Sequence, residues 1–221
     1  MGRLTVICGH YGSGKTNLSI DLAISAAKNG KKVTLVDMDI VNPYFTSSEY
    51  TDILQKNGVN VISPTFARTN ADIPALPASM YSIFSTDDDV ILDVGGDDAG
   101  ATILGRFAAK IIEKGYEMVY VTNMYRPLTA TAEDSVDMLK GIEQVCGLRA
   151  TAVANNSHLK SITTASTILD SLPYAKKVSA LAGIPLMFTT VPHRLMNGLP
   201  EDESFYPVGV YVMTAWEREE Q

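Results

Sequence analysis

Gly9-His10-Tyr11-Gly12-Ser13-Gly14-Lys15-Thr16 is the stretch with the most evident chemistry, reading G-x-x-x-x-G-K-T. Glycines at this spacing let the backbone curl so that successive N–H groups point inward, the geometry that holds a chain of phosphates. A lysine in the seventh place reaches the β- and γ-phosphates, and a hydroxyl in the eighth can ligate Mg²⁺. Lys15 and Thr16 fill those places. The stretch follows the apolar run Leu4-Thr5-Val6-Ile7-Cys8 and precedes a helical pattern, so it sits at a strand-to-helix turn where a helix N-terminus adds its own attraction for anions. Nucleotide binding is the expected function.

Carboxylates complete the constellation. Asp93 closes the apolar run Val90-Ile91-Leu92 and is followed by Val94-Gly95-Gly96. An acid at a strand end beside such a phosphate loop suits Mg²⁺ or its water shell, and the glycines suit a loop that senses a γ-phosphate. The plainer alternative is an Asp that caps the next helix. Asp37 and Asp39 stand two residues apart in an extended segment and can face the same side. One could support the metal and the other orient an attacking water; the plainer alternative is a pair of solvated loop acids. Asp87-Asp88-Asp89 precedes its strand and reads as a solvated turn at the far end of the sheet. Asp97 and Asp98 are ambiguous: helix N-terminal acids by default, supporting residues behind the metal at most.

These residues need a scaffold that brings them together, and the hydrophobic pattern supplies one. Strands are expected over 3–8, 33–36, 59–62, 90–94, 118–121, 150–154 and 184–191. Helices are expected after the phosphate loop to about Lys28, over 46–56, over 99–114, over 131–146 and over 162–182, with Pro173 breaking the last. The tail over 206–216 is apolar and aromatic, and a short helix is favoured over a strand there. The segment 63–79, with three prolines, is too long for a plain turn. Strand and helix alternating in this way give a three-layer α/β/α, doubly wound, mostly parallel sheet, with residues 1–221 as a single domain. Ligands of such sheets sit beyond the carboxyl ends of the strands. The phosphate loop, Asp37–Asp39, Asp93–Gly96, Asn155-Asn156 and Pro192 all fall there, so one converged site is expected.

Composition narrows the partners. The chain has 221 residues, 46% of them hydrophobic and 19% charged, with a net charge of −7 and a pI near 4.9. An acidic chain gives little footing for nucleic acid. Cys8 and Cys146 are far apart and form no clustered metal pattern. No apolar run approaches the ~20 residues of a membrane span, and no signal peptide is evident before Leu4. A cytoplasmic protein without a membrane anchor is expected.

The phosphate loop, Asp37-Met38-Asp39 after the second strand and Asp93-Val94-Gly95-Gly96 together resemble the MinD/ParA-type ATPases, a branch of P-loop NTPases that includes the nitrogenase iron protein and cobyrinic acid amide synthase-like domains. The likeness spans essentially the whole chain. It implies ATP and Mg²⁺ as ligands and ATP hydrolysis as the activity. It also implies an ATP-bound homodimer that opens and closes with turnover, its state read by a protein partner. By the same resemblance Asp39 positions water, Asp37 lies near the metal and Asp93 is the metal-side acid. Asn155 would bond adenine, and the backbone near Pro192 would complete the base pocket. Gly9 to Thr16, His10 and Tyr11 included, form the nucleotide cradle. The chain departs from the family at His10, which stands where a signature lysine would reach a partner's phosphates. Arg68 and Arg126 are the candidate substitutes. No cysteine pair is present for an iron–sulfur cluster, and the terminal Trp216-Glu217-Arg218-Glu219-Glu220-Gln221 is unlike a membrane-docking tail. Guanine-specific relatives carry an Asn/Thr-Lys-x-Asp segment; Asn155-Asn156-Ser157-His158 lacks its acid, which favours ATP. Two other functions fit the same residues: an ATP-dependent ligase or kinase activating a small carboxylate held by the 63–79 loop, and a nucleotide-binding module with negligible turnover.

Overall fold

The computed structural model describes residues 2–39, 50–63, 78–96, 98–200 and 203–211. Eight strands form one sheet: β1 (Leu4–Cys8), β2 (Val33–Asp37), β3 (Val59–Ile62), β4 (Asp89–Asp93), β5 (Glu117–Thr122), β6 (Ala152–Asn155), β7 (Leu186–Pro192) and β8 (Phe205–Val208). Their order is β3-β2-β4-β1-β5-β6-β7-β8, and every pairing is parallel. Six α-helices accompany them among the described residues: α1 (Lys15–Lys28), α2 (Thr51–Lys56), α3 (Asp98–Arg106), α4 (Ala108–Lys114), α5 (Ala132–Cys146) and α6 (Ala165–Ala182).

Alternation along each strand divides the core in two. Leu4, Val6 and Cys8 face one layer with Leu92, Tyr120, Leu104, Val136 and Val178, so α3, α5 and α6 cover that face. Ile7, Ile91 and Val119 face the other with Leu18, Ile24 and Leu54, where α1 and α2 lie. Both faces of the central strands are therefore buried, which explains why those strands are apolar almost throughout. The chain leaves β1 through α1 toward β2, whereas β5, β6 and β7 extend the sheet the other way. The reversal of winding falls at β1, and the crevice at its carboxyl end is where such sheets hold ligands.

Several local expectations need correction. At the start of the tail expected to be helical over 206–216, Phe205–Val208 form β8, paired to β7 from Thr189↔Phe205 to Pro192↔Val208, with Phe188 stacked on Tyr206; residues 212–216 lie outside the described residues. The helix expected over 99–114 divides at Phe107 into α3 and α4. Conversely, α6 runs through Pro173 without a break. Pro173 is exposed, so the carbonyl of Leu169 that it leaves without a backbone donor lies on the solvent side, where water can serve it. A reciprocal cap between Thr164 and Thr167 starts that helix. Asp89, read as part of a solvated turn, instead opens β4 and binds the Arg3 N–H at 2.9 Å and Lys31 Nζ at 2.7 Å. The first half of the helix expected over 46–56, most of the 63–79 segment, Arg68 and Asp97 lie outside the described residues.

Candidate nucleotide site

The phosphate loop begins where β1 ends. Gly9, Gly12 and Gly14 have φ of 149°, 75° and 89°, values an L side chain rarely adopts. Space is as restrictive as conformation: a Cβ on Gly9 would stand 2.3 Å from the Val121 carbonyl oxygen, and one on Gly14 would stand 2.2 Å from Asn156 Nδ2. The loop is closed by Ser13 N–H donating to the His10 carbonyl at 3.1 Å, and Lys15 Nζ donates to the same carbonyl at 3.0 Å. Lys15 is buried at 7% exposure. Its ammonium is thus already folded over the loop on the side where phosphates would lie.

The carboxylates meet beneath this loop. Asp37 and Asp93 are register partners on β2 and β4, and both are buried. Asp37 Oδ1 accepts from the Asp39 N–H at 2.9 Å, which fixes the turn into Asp39. Asp93 Oδ1 accepts from Ser19 Oγ at 3.1 Å, while its buried Oδ2 has no partner in hydrogen-bond geometry among the described residues. Burial pushes the Asp93 carboxyl up to about 6; the Lys15 charge and the hydroxyls of Thr16 and Ser19 pull the other way. No cluster of three or more His, Cys, Asp or Glu suited to a metal occurs among the described residues. Mg²⁺ bound with nucleotide takes one or two protein ligands and completes its octahedron with phosphate oxygens and water. A buried carboxylate with an unpartnered oxygen next to Thr16 fits such an ion.

The loop after β4 touches both halves. A Cβ on Gly96 would stand 2.6 Å from the Tyr11 nitrogen and 2.7 Å from Lys15 Nζ, and one on Gly95 would stand 3.3 Å from the Asp39 carboxylate. Only glycine lets the backbone lie this close to the lysine.

A cleft of about 340 Å³ opens above, lined by Tyr11 to Asn17, Asp39, Gly96, Asn123, Arg126, Asn156, His158 and Val210. The structure thus brings together Lys15, Thr16 and Asp39 around one opening, with Asp37 and Asp93 at the strand ends below. Asn155 is not in that lining. It is fully buried, its Nδ2 donating to Ser171 Oγ at 2.8 Å and Thr189 Oγ1 at 3.3 Å, and its Oδ1 accepting from the Ser157 N–H at 3.2 Å. Neighbouring strand residues point to opposite sides, and it is Asn156 that turns to the cleft. Asn156 Nδ2 donates to the Ser13 carbonyl at 2.6 Å, tying the phosphate loop to β6. Pro192 is likewise buried, at the end of β7 beside Val208.

Other residues of the site carry weaker signals in the sequence. Arg126, named from the sequence as a candidate substitute for the family's lysine, donates from Nε to the Gly12 carbonyl at 2.8 Å from the turn after β5. Asn17 holds the segment after β8 through the Gly209 carbonyl at 2.8 Å and the Tyr211 N–H at 2.7 Å, bringing Val210 to the cleft. Nothing in the sequence marks that contact, because it depends on β8. His10, partly exposed, has its pKa held below the ordinary imidazole value by burial and by the Lys15 charge. It is therefore neutral at neutral pH.

No helix among the described residues is long and apolar enough to cross a membrane. Among solved structures, the chain is similar to FtsY from Thermotoga maritima (TM-score 0.57, 21% identity, 86% of this chain and 62% of that one). It is also similar to the signal recognition particle receptor FtsY from Elizabethkingia anophelis (0.57, 19%, 86% and 58%), and to the signal recognition particle 54 kDa protein from Aeropyrum pernix K1 in complex with GDP (0.54, 15%, 85% and 41%). The chain spans about three fifths or less of the length of these proteins, and at such identities the likeness is one of fold. No curated protein sequence matches significantly. Residues 4–183 match the profile of the CobQ/CobB/MinD/ParA nucleotide-binding domain, a span that runs from β1 past α6 and contains the phosphate loop, Asp39, Asp93 and Asn156; the chain belongs to that family.

Proposed function

We propose that this protein binds ATP with Mg²⁺, hydrolyses it, and uses the bound state as a switch read by a protein partner, with two copies closing over ATP. The observation that carries this reading is the contact of the loop after β4 with both Lys15 and Asp39. A γ-phosphate bound by Lys15 would lie beside Gly96, and a water held by Asp39 would lie beside Gly95. Occupancy of the site would in that way reset the loop that leads into α3, the elementary form of a nucleotide switch. Mg²⁺, when bound, would neutralise phosphate charge; Thr16 and Asp93 would hold it directly or through water, with Asp37 alongside. Lys15 would bind the phosphates, and Asp39 would orient water. The missing guanine-reading acid in Asn155–His158 supports ATP over GTP.

One observation favours a slower second reading, a nucleotide-binding module with negligible turnover. A neutral His10 in place of a cross-subunit lysine offers no permanent positive charge to a partner's phosphates.

Calorimetry with Mg·ATP, phosphate release and light scattering test these readings together. Lys15→Ala removes charge-assisted hydrogen bonds of about 1.5–3 kcal/mol each, so affinity should fall at least about tenfold. Asp39→Ala should bind ATP and release little phosphate. Undiminished affinity in the first variant, or undiminished turnover in the second, would refute the assigned roles. A mass unchanged by Mg·ATP would remove the dimer from the proposal.

A further inference from the structure

Two cations line the cleft, and they stand on different sides of the phosphate loop. Lys15 lies with Gly96 on the side of Asp39, where the γ-phosphate is expected. Arg126 lies on the side of Asn156 and His158. Its Nε donates to the Gly12 carbonyl at 2.8 Å, and a Cβ on Gly12 would stand 3.5 Å from the same nitrogen. The two imidazoles of the cleft mark the same separation. Burial lowers the pKa of each, and the charge that adds to it is Lys15 at His10 but Arg126 at His158.

The turn that carries Arg126 is held from inside. Asn123 Oδ1 accepts from the Tyr125 N–H at 2.9 Å, and the Asn123 carbonyl accepts from Thr129 Oγ1 at 2.7 Å. The buried Tyr174 hydroxyl donates to the Thr129 carbonyl at 2.7 Å. With Nε held by Gly12, the side chain is anchored at both ends, while its two terminal nitrogens have no hydrogen-bond or ion-pair partner among the described residues. A loop that turns its N–H groups inward to phosphate turns its carbonyls outward. A guanidinium held on the Gly12 carbonyl therefore lies outside the phosphate nest, still within the cleft.

We propose that Arg126 stacks its guanidinium plane on the base of the nucleotide bound by its own chain, a clamp in cis that joins base to phosphate loop, and does not stand in for the cross-subunit lysine. The inference rests on the nucleotide reading above and deepens it. A nucleotide whose γ-phosphate meets Lys15 runs its nucleoside away from Asp39 and Gly96, toward Arg126. There a planar, delocalised cation meets the flat π-face of a base, a pairing that suits arginine and not the point charge of lysine. The side chain is already oriented in the free protein, so little ordering remains to oppose binding.

Calorimetry on the full chain with Mg²⁺ tests this by comparing ATP with ribose 5′-triphosphate, which lacks only the base. The unmodified protein should bind ATP at least about tenfold more tightly than the base-free ligand. Arg126→Lys keeps the charge and a donor for the Gly12 carbonyl but loses the plane. Its affinity for ATP should fall about tenfold, while that for ribose 5′-triphosphate changes by less than about threefold. Arg126→Met should show the same selective loss, and the retained base-free ligand reports that the phosphate loop of either variant is intact. Equal affinities for the two ligands in the unmodified protein overturn the proposal without any variant. An equal loss for both ligands also overturns it, since Arg126 would then act on phosphate or only on the shape of the loop. Full ATP affinity in Arg126→Lys overturns stacking, because a point charge would suffice. A loss confined to protein concentrations at which chains associate overturns the assignment in cis. If neither ligand binds the unmodified protein, the nucleotide reading fails and the clamp with it, a result distinct from binding that ignores the base.

Discussion

Replacing Gly14 by alanine tests whether the phosphate loop is held by the Asn156 tether as the distances imply. Two costs add. The first is conformational: φ of 89° at Gly14 is left-handed, and an L side chain there costs about 1–2 kcal/mol. The second is steric: the new Cβ would stand 2.2 Å from Asn156 Nδ2, a distance no pair of such atoms tolerates. Asn156 must then withdraw from the Ser13 carbonyl, and a buried amide left without its partner costs about 1–3 kcal/mol. The sum is about 2–5 kcal/mol. Gly30 provides the control, since its φ of 80° imposes similar strain while nothing lies within 4 Å of its Cβ position. Gly30→Ala should therefore cost only about 1–2 kcal/mol and leave nucleotide affinity unchanged. Urea unfolding followed by circular dichroism gives the stabilities, and a fluorescent ATP analogue gives the affinities, with Gly14→Ala expected to lose at least about tenfold. A double-mutant cycle with Asn156→Ala should show non-additivity of about 1 kcal/mol or more, because removing the amide relieves the clash. If Gly14→Ala costs no more than Gly30→Ala, or if the cycle is additive, the tether is not what the geometry implies.

Two further outcomes follow from single features. The Asp93 carboxyl, raised by burial from 3.8 to about 6, binds its proton more tightly folded than unfolded. Its contribution to stability is therefore present below pH 4 and is lost as pH rises through 6, by about 3 kcal/mol in all. Without nucleotide, Asp93→Asn should gain on the unmodified protein by this amount between pH 4 and pH 7, while losing Mg²⁺-dependent nucleotide binding; parallel stability–pH curves for the two proteins would show the reasoning to be wrong. In α6, Pro173→Ala restores a backbone donor for Leu169 on an exposed face and should stabilise the protein by on the order of 2 kcal/mol in urea unfolding. A loss of stability would mean that the proline is needed for the packing of that helix.

The sequence by itself determined the phosphate loop, the parallel sheet and the convergence of Asp37, Asp39 and Asp93. Each of these is written in local terms: glycines at fixed spacing, apolar runs of strand length, acids at their ends. The tertiary structure decided what local terms cannot express. Which of Asn155 and Asn156 faces the cleft depends on the side to which β6 presents each residue, since a shift of one position exchanges the two faces. Whether an aromatic tail becomes helix or strand depends on the open edge of β7, which gives β8 its hydrogen bonds. Pro173 is tolerated because of the face on which it lies. The lowered pKa of His158 is set by burial and by the charge of Arg126, a residue far from it in the chain. Spacing fixes which groups reach the site; only packing fixes which of their atoms are left to meet a ligand.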